Sequence, residues 1–286
     1  MELKVVGLHI GRTAGTSFYQ FMEAALGMEH CFPISAFGWG QQQGRITPHE
    51  FISSRETPLF TYGHYVHESW IEYLRCADPV LTFSFFRDPV DRRVSLSRHF
   101  AALDATTSGS NVQLNLIDLD IWCAEVLRCF PTATSAFPDE PRWRQAFIAL
   151  SALDHLLPMD GVKDFAHHLV GLIGNEANIV EFPALNGSAS TSTEHHGAVN
   201  KDDQDGLLFE AISSGARASA EEVAALREAT RQKYPDGPAA LAAFKEHLLV
   251  FMRAEFDAMA TLAQNVRSLQ ARRSAIDELL AQLPTA

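Results

Sequence analysis

The segment Pro79-Val-Leu-Thr-Phe-Ser-Phe-Phe86 constrains this chain more than any other. It is apolar almost throughout and lacks the in-out alternation of a half-exposed strand. A strand of that kind needs cover on both faces, as strands have inside an α/β sheet. Two further segments suit the same sheet. Val5 to Ile10 is a short run rich in β-branched residues, and Pro58-Leu-Phe-Thr-Tyr-Gly63 reads as a strand ended by glycine. The first run passes through the small-residue turn Gly11-Arg-Thr-Ala-Gly-Thr-Ser17. Beyond it, Phe18, Phe21, Met22, Ala25 and Leu26 recur at helical spacing. Strand, turn and helix in this order predict an α/β fold with a central parallel sheet and crossover helices.

The rest of the chain reads as helix-rich. Residues 111–174 are mostly helical in pattern, broken at Phe137-Pro-Asp-Glu-Pro141. Asn178 to Phe182 reads as one more buried strand, and Ala184 to Asp205 as a polar loop suited to a lid or linker. Amphipathic helices are expected from about Ser219, from about Gly237 and over 266–283. Leu269, Ile276, Leu279, Leu280 and Leu283 mark the apolar stripe of the last. With 286 residues, 47% of them hydrophobic, the chain can bury a full core without covalent staples. One domain over 1–286 is expected.

Composition excludes some partners. A net charge of −12 repels polyanions, which argues against DNA, RNA or a heavily sulfated glycan, yet allows one anionic nucleotide in a small pocket. The four cysteines show no CxxC pair and no metal-type spacing, so they read as reduced thiols. No leader-like segment opens the sequence and no apolar run approaches bilayer length, so a cytoplasmic protein without a transmembrane segment is expected.

Two segments carry chemistry. In His9-Ile-Gly-Arg-Thr-Ala-Gly-Thr-Ser17 a strand end enters a helix through small residues. Backbone N–H groups at such a turn, with the positive end of the helix, can cradle a phosphate. Arg12 adds a charge, and Thr16 and Ser17 add hydroxyls. No Lys precedes Thr16, so this is not a Walker A loop. In Phe83-Ser-Phe-Phe-Arg-Asp-Pro-Val-Asp-Arg-Arg-Val-Ser95 a buried strand delivers Arg87 to its carboxyl end. Asp88 can cap the helix opened by Pro89, and Ser95 follows about two turns along. Ligands of open α/β sheets bind at carboxyl ends, so Arg87 and Ser95 can grip a phosphate in the same crevice. The plainer alternative is a salt bridge from Arg87 to Asp88 or Asp91.

Taken together, the two segments resemble the nucleotide-binding signatures of the sulfotransferase superfamily, closest to its membrane-type and bacterial carbohydrate branch. The resemblance covers residues 3–100. Leu185-Asn186-Gly-Ser188 is similar to a short late motif of the family. What it implies is a three-layer, P-loop-like α/β fold related to nucleotide kinases. Residues 1–105 would form the nucleotide-binding core and 106–286 a helical acceptor-side region. The sulfuryl donor would be 3′-phosphoadenosine 5′-phosphosulfate, with no metal. Arg12, Thr13, Ala14, Gly15, Thr16 and Ser17 would hold the 5′-phosphosulfate, and Arg87 with Ser95 the 3′-phosphate. Arg12 stands where the family usually has Lys, and Gly11 where it often has Pro. Arginine keeps the charge needed against the leaving phosphate but cannot give up a proton there.

The resemblance also points to His64, after Gly63, as the base that takes a proton from an acceptor hydroxyl, with Arg12 as its catalytic partner at the leaving group. His67 is a second candidate that shares a helical face with His64 if the segment is helical. His9 and His99 read as structural hydrogen-bonders. His167-His168 and Glu194-His195-His196 lack ligand spacing. Trp39 and Trp70 suit either an acceptor pocket or the core. The acceptor is expected to be a small molecule, lipid or saccharide. Two rivals stand beside this reading: a nucleotide-dependent phosphotransferase of the same fold group, and a nucleotide-binding homologue without activity.

Overall fold

Five parallel strands form one sheet in the order β2-β3-β1-β4-β5. The computed structural model describes residues 2–10, 15–34, 51, 57–92, 95, 121–173, 181–183 and 203–250. Along the chain, β1 (Lys4–Leu8) leads to α1 (Gly15–Leu26), then to β2 (Cys31–Ile34) and β3 (Phe60–Gly63). Helix α2 (Glu68–Arg75) and β4 (Val80–Phe86) follow. Next come α3 (Ile121–Cys129), α4 (Pro131–Ala136), α5 (Arg142–Ser151), β5 (His155–Pro158) and α6 (Val162–Ile173). Helices α7 (Gln204–Ser213), α8 (Ala220–Lys233) and α9 (237–250) complete the described chain.

Alternation along the strands splits the core in two. Val6, Leu8, Phe32 and Ile34 face a layer that includes Trp70 and Leu74 of α2, Val126 of α3, Phe147 of α5 and Phe244 of α9. Val5, Phe60, Tyr62, Phe83 and Phe85 face the other way, onto Phe18, Phe21 and Met22 of α1 and Phe165 and Leu169 of α6. Helices therefore cover both faces, which is why Val80–Phe86 is apolar almost without a break. Strand β1 lies at the centre, and its Leu8 pairs with Gly63 of β3 and Ser84 of β4. Three strand ends thus open side by side.

The two outer strands depart from the expected pattern. Neither β2 nor β5 is anticipated by the sequence reading, because each has only four residues and each contains a proline. Proline cannot donate to a ladder, which argues against a central strand but is tolerated at an edge. Both strands are edges here. Strand β5 also interrupts the stretch 111–174 that reads as helical.

The C-terminal half needs a second correction. The polar loop expected over 184–205 ends earlier, since Asp203 caps α7 by accepting from the Asp205 N–H. Helix α8 starts as expected, with a full capping box between Ser219 and Glu222. Of the strand expected at Asn178–Phe182, only Glu181 and Phe182 are described, and they are not in a strand. The helix expected over 266–283, and the motif at Leu185–Ser188, lie outside the described residues. Among the described residues no helix is long and apolar enough to cross a membrane. All four cysteines are free.

Candidate functional site

The carboxyl ends of β3, β1 and β4 carry His64, His9 and Arg87 in that order. Gly63 ends β3 where a Cβ would sit 1.9 Å from the Ile34 carbonyl oxygen, so only glycine fits between β2 and the turn that follows. The His9 N–H then donates to the Gly63 oxygen at 3.0 Å, carrying the β1–β3 pairing one step past Leu8. His64 comes next, in a turn.

His64 is held from several sides. Its ring centroid lies 4.2 Å from that of His9, and its side chain is hydrogen-bonded to the His9 backbone. Its Nδ1 faces Glu125 Oε1 of α3 at 4.0 Å. Its carbonyl accepts from Arg128 Nη2 at 3.3 Å and from Cys129 Sγ at 3.4 Å. The side chain keeps 26% exposure, enough for a ligand to reach it. Burial lowers its pKa from the ordinary 6.5, against the raising effects of Glu125 and the His9 backbone and with a smaller lowering by Arg128. A neutral imidazole at pH 7, beside a carboxylate that favours its protonated form, is arranged to accept a proton.

His9 has a packing role that the sequence only hints at. Its ring stacks on Tyr62 at 5.1 Å and fills the space above Gly15, where a Cβ would lie 1.9 Å from Nε2. A side chain at position 15 would therefore displace the His9 imidazole. Gly15, Thr16 and Ser17 form the first turn of α1, and Ser17 is buried. Arg12, Thr13 and Ala14 lie outside the described residues.

On the other side of β1, Arg87 follows the last residue of β4 and is partly exposed. Asp88 Oδ1 accepts from the N–H groups of Val90 and Asp91 at 2.8 and 3.1 Å, the cap expected before Pro89. The alternative salt bridge from Arg87 to Asp88 or Asp91 is absent among the described residues, where the guanidinium meets no carboxylate within 4.0 Å. Ser95 is buried at a helical position beyond residues 89–92.

No family model matches this chain, and neither a curated protein nor a solved structure does.

Behind His64 lies a chain of charges that the sequence reading missed. Glu125 Oε2 approaches Arg92 Nη1 at 3.9 Å, and Arg92 Nη2 donates to Asp205 Oδ2 at 2.9 Å. Arg92 is 3% exposed and Asp205 is fully buried. Asp205 also accepts the N–H groups of Trp122 and Cys123 at 3.0 and 2.9 Å, at the N-terminal end of α3. A carboxylate there satisfies two orphan donors and the helix dipole together. The network ties the helix after β4 to α3 and so sets where Glu125 meets His64. One sequence signal was available: Glu125 is the single acid in the otherwise apolar stretch Ile121-Trp-Cys-Ala-Glu-Val-Leu127.

The second histidine candidate goes elsewhere. His64 is in a turn rather than a helix, and His67 is the N-cap of α2, so the two share no helical face. His67 Nδ1 accepts from the Ser69 N–H at 3.3 Å and its ring stacks on His247 of α9 at 4.3 Å. It is 7% exposed, and burial, His247 and Lys233 together push its pKa down to about 3. The unfolded chain takes up that proton near pH 6.5. Stability from neutral His67 is therefore complete above pH 6.5 and is lost as pH falls from there towards 3. The slope from this one group is about 1.4 kcal/mol per pH unit within that window. Urea unfolding at pH 7 and pH 5 should show the loss. His67→Asn, which keeps a capping oxygen without the titration, should make it shallower.

Other candidates settle as core or lie beyond description. Trp70 is fully buried, donates to Thr61 Oγ1 at 3.1 Å and stacks on Phe244, so it lines no acceptor pocket. Trp39, His99, His195 and His196 lie outside the described residues, and His167 and His168 sit on α6. Among the described residues no group of three His, Cys, Asp or Glu side chains is placed to hold a metal ion.

Proposed function

We propose that the protein is a sulfotransferase that moves a sulfuryl group from 3′-phosphoadenosine 5′-phosphosulfate to a hydroxyl of a small-molecule, lipid or saccharide acceptor. The observation that carries this reading is a partly exposed His64 at the end of β3, its pKa lowered by burial, across β1 from an Arg87 at the end of β4 that meets no carboxylate among the described residues. A base and an anion-binding arginine on either side of one strand end are what transfer between a bound nucleotide and an acceptor needs. The proposal includes a P-loop-like, three-layer fold with cytoplasmic residence. A central parallel strand that leads towards a helix N-terminus, with helices on both faces of its sheet, supports the fold assignment.

In this reading the acceptor oxygen attacks sulfur while the bond from sulfur to the 5′-phosphate oxygen breaks. The acceptor proton passes to His64, and the electron pair of the broken bond leaves on the phosphate. The products are a sulfate monoester and adenosine 3′,5′-bisphosphate. By analogy with phosphoryl transfer the charge grows on the leaving oxygen, where Arg12 and the N–H groups of the 13–17 segment would stabilise it. Glu125 positions His64 and stabilises the imidazolium that forms. The phosphotransferase alternative needs an acid for magnesium, and Asp88, the acid that follows Arg87 beyond β4, is engaged as a helix cap.

The nucleotide is tested first. Adenosine 3′,5′-bisphosphate should raise the melting temperature well above the effect of ATP or GTP at equal concentration. A larger shift with ATP and magnesium would overturn the reading. Arg87→Ala should weaken bisphosphate binding by about a hundredfold, as expected for loss of a bidentate guanidinium contact to phosphate. Calorimetric titration of the variant measures it, and Arg87→Lys should fall between the two.

A further inference from the structure

Arg128 is the group beside His64 that the transfer step leaves unused. It is exposed in the last turn of α3, yet it is not loose. Its guanidinium carbon sits 4.5 Å from the centroid of the Tyr65 ring, and one arm of the fork donates to the His64 carbonyl. The Tyr65 ring, the His64 carbonyl and the Cys129 side chain hold the guanidinium in place, and a planar fork with five N–H donors keeps donors to spare. Among the described residues no carboxylate lies within 4.0 Å of Arg128, whereas Arg75, Arg144 and Arg231 each have one and Arg92 has two. Glu125, three positions earlier, is turned to His64 and Arg92 instead.

We infer that Arg128 recognises a carboxylate on the acceptor and thereby sets its hydroxyl against His64. This rests on the sulfuryl-transfer reading and adds the acceptor class to it: hydroxy acids, whether sugar acids or simpler ones. A pre-oriented fork matches the two coplanar oxygens of a carboxylate. Charge selects among anions. With Glu125 close by and a net charge of −12 on the chain, a singly charged group is tolerated better than a phosphate or a polysulfated chain. Arg128 donates to the main-chain carbonyl of His64 and is close enough to its ring to oppose protonation, so an anion held by the fork lies on the same side of the site as the imidazole.

The test compares acceptors in matched pairs with the full chain and labelled donor. Aryl β-glucuronide and its methyl ester form one pair, 4-hydroxyphenylacetate and its methyl ester another. The acid should be preferred by about tenfold in kcat/KM in at least one pair, the scale of one charge-assisted contact at a partly exposed site. In Arg128→Met the acid-to-ester ratio should fall to about one, and in Arg128→Lys it should fall part-way. Because the readout is a ratio within one protein, a general loss of activity does not mimic it. Equal transfer to acid and ester by the unmodified chain overturns the carboxylate assignment and leaves the sulfotransferase reading standing. Bisphosphate binding without transfer to any acid also overturns it. Absence of both bisphosphate binding and transfer overturns the sulfotransferase reading itself, and the assignment with it.

Discussion

Asp205→Ala should remove about 3–5 kcal/mol of folding stability, the scale measured when one partner of a buried ion pair is deleted. Asp205 is completely buried and holds three donors: Arg92 Nη2 and the N–H groups of Trp122 and Cys123. Alanine would leave the Arg92 charge with Glu125 at 3.9 Å as its remaining acidic neighbour among the described residues. It would also strip the acceptor from the first turn of α3. Asp205→Asn keeps an acceptor oxygen but removes the charge, so it should fall between alanine and the natural residue. Urea unfolding measures both, with an unchanged dependence on denaturant as the sign that stability alone moved. A loss below about 1 kcal/mol in the alanine variant would mean that the network contributes little. Because α3 also carries Glu125 and Arg128, partial loss of this anchor should lower turnover before the protein unfolds.

His64→Ala should reduce turnover by about 10²–10⁴-fold, the usual contribution of a positioned general base, while leaving bisphosphate affinity near its starting value. Arg87→Ala is expected to behave the opposite way, so the pair separates binding from chemistry. The pH profile adds a sign. Burial holds the His64 pKa below 6.5, so kcat/KM should stay level through neutral pH and fall only at lower pH, as the imidazole takes up a proton. Glu125 raises that pKa. Glu125→Gln should therefore move the acid limb to still lower pH and slow turnover, because the remaining base is weaker. A purely structural role for Glu125 would lower activity without moving the limb. Full transfer by His64→Ala would remove His64 from the role.

Much of the sheet was readable from local pattern. Val5–Ile10, Pro58–Gly63 and Pro79–Phe86 overlap β1, β3 and β4, because interior strands covered on both faces must be apolar whatever surrounds them. The cap at Asp88 was readable for a related reason: a cap is satisfied within three residues of itself. The edge strands were not. Four residues carry too little periodicity, and proline reads as a breaker until the folded sheet shows that the strand lies at an edge. His67 was misplaced because its burial comes from α9, about 180 residues further along.

The sequence by itself determined the parallel interior of the sheet, the helix starts after Asp88, near Ser219 and near Gly237, and the placing of His64 and Arg87 at strand ends, all properties of short segments. Only the tertiary structure decided that Asp205, at the edge of a polar stretch, is a buried anchor, that Glu125 faces His64, and that Arg128 stands on Tyr65 beside it. A charge shows its partner only when the chain is folded, because the energy of burying it depends on groups brought in from 60 to more than 100 residues away.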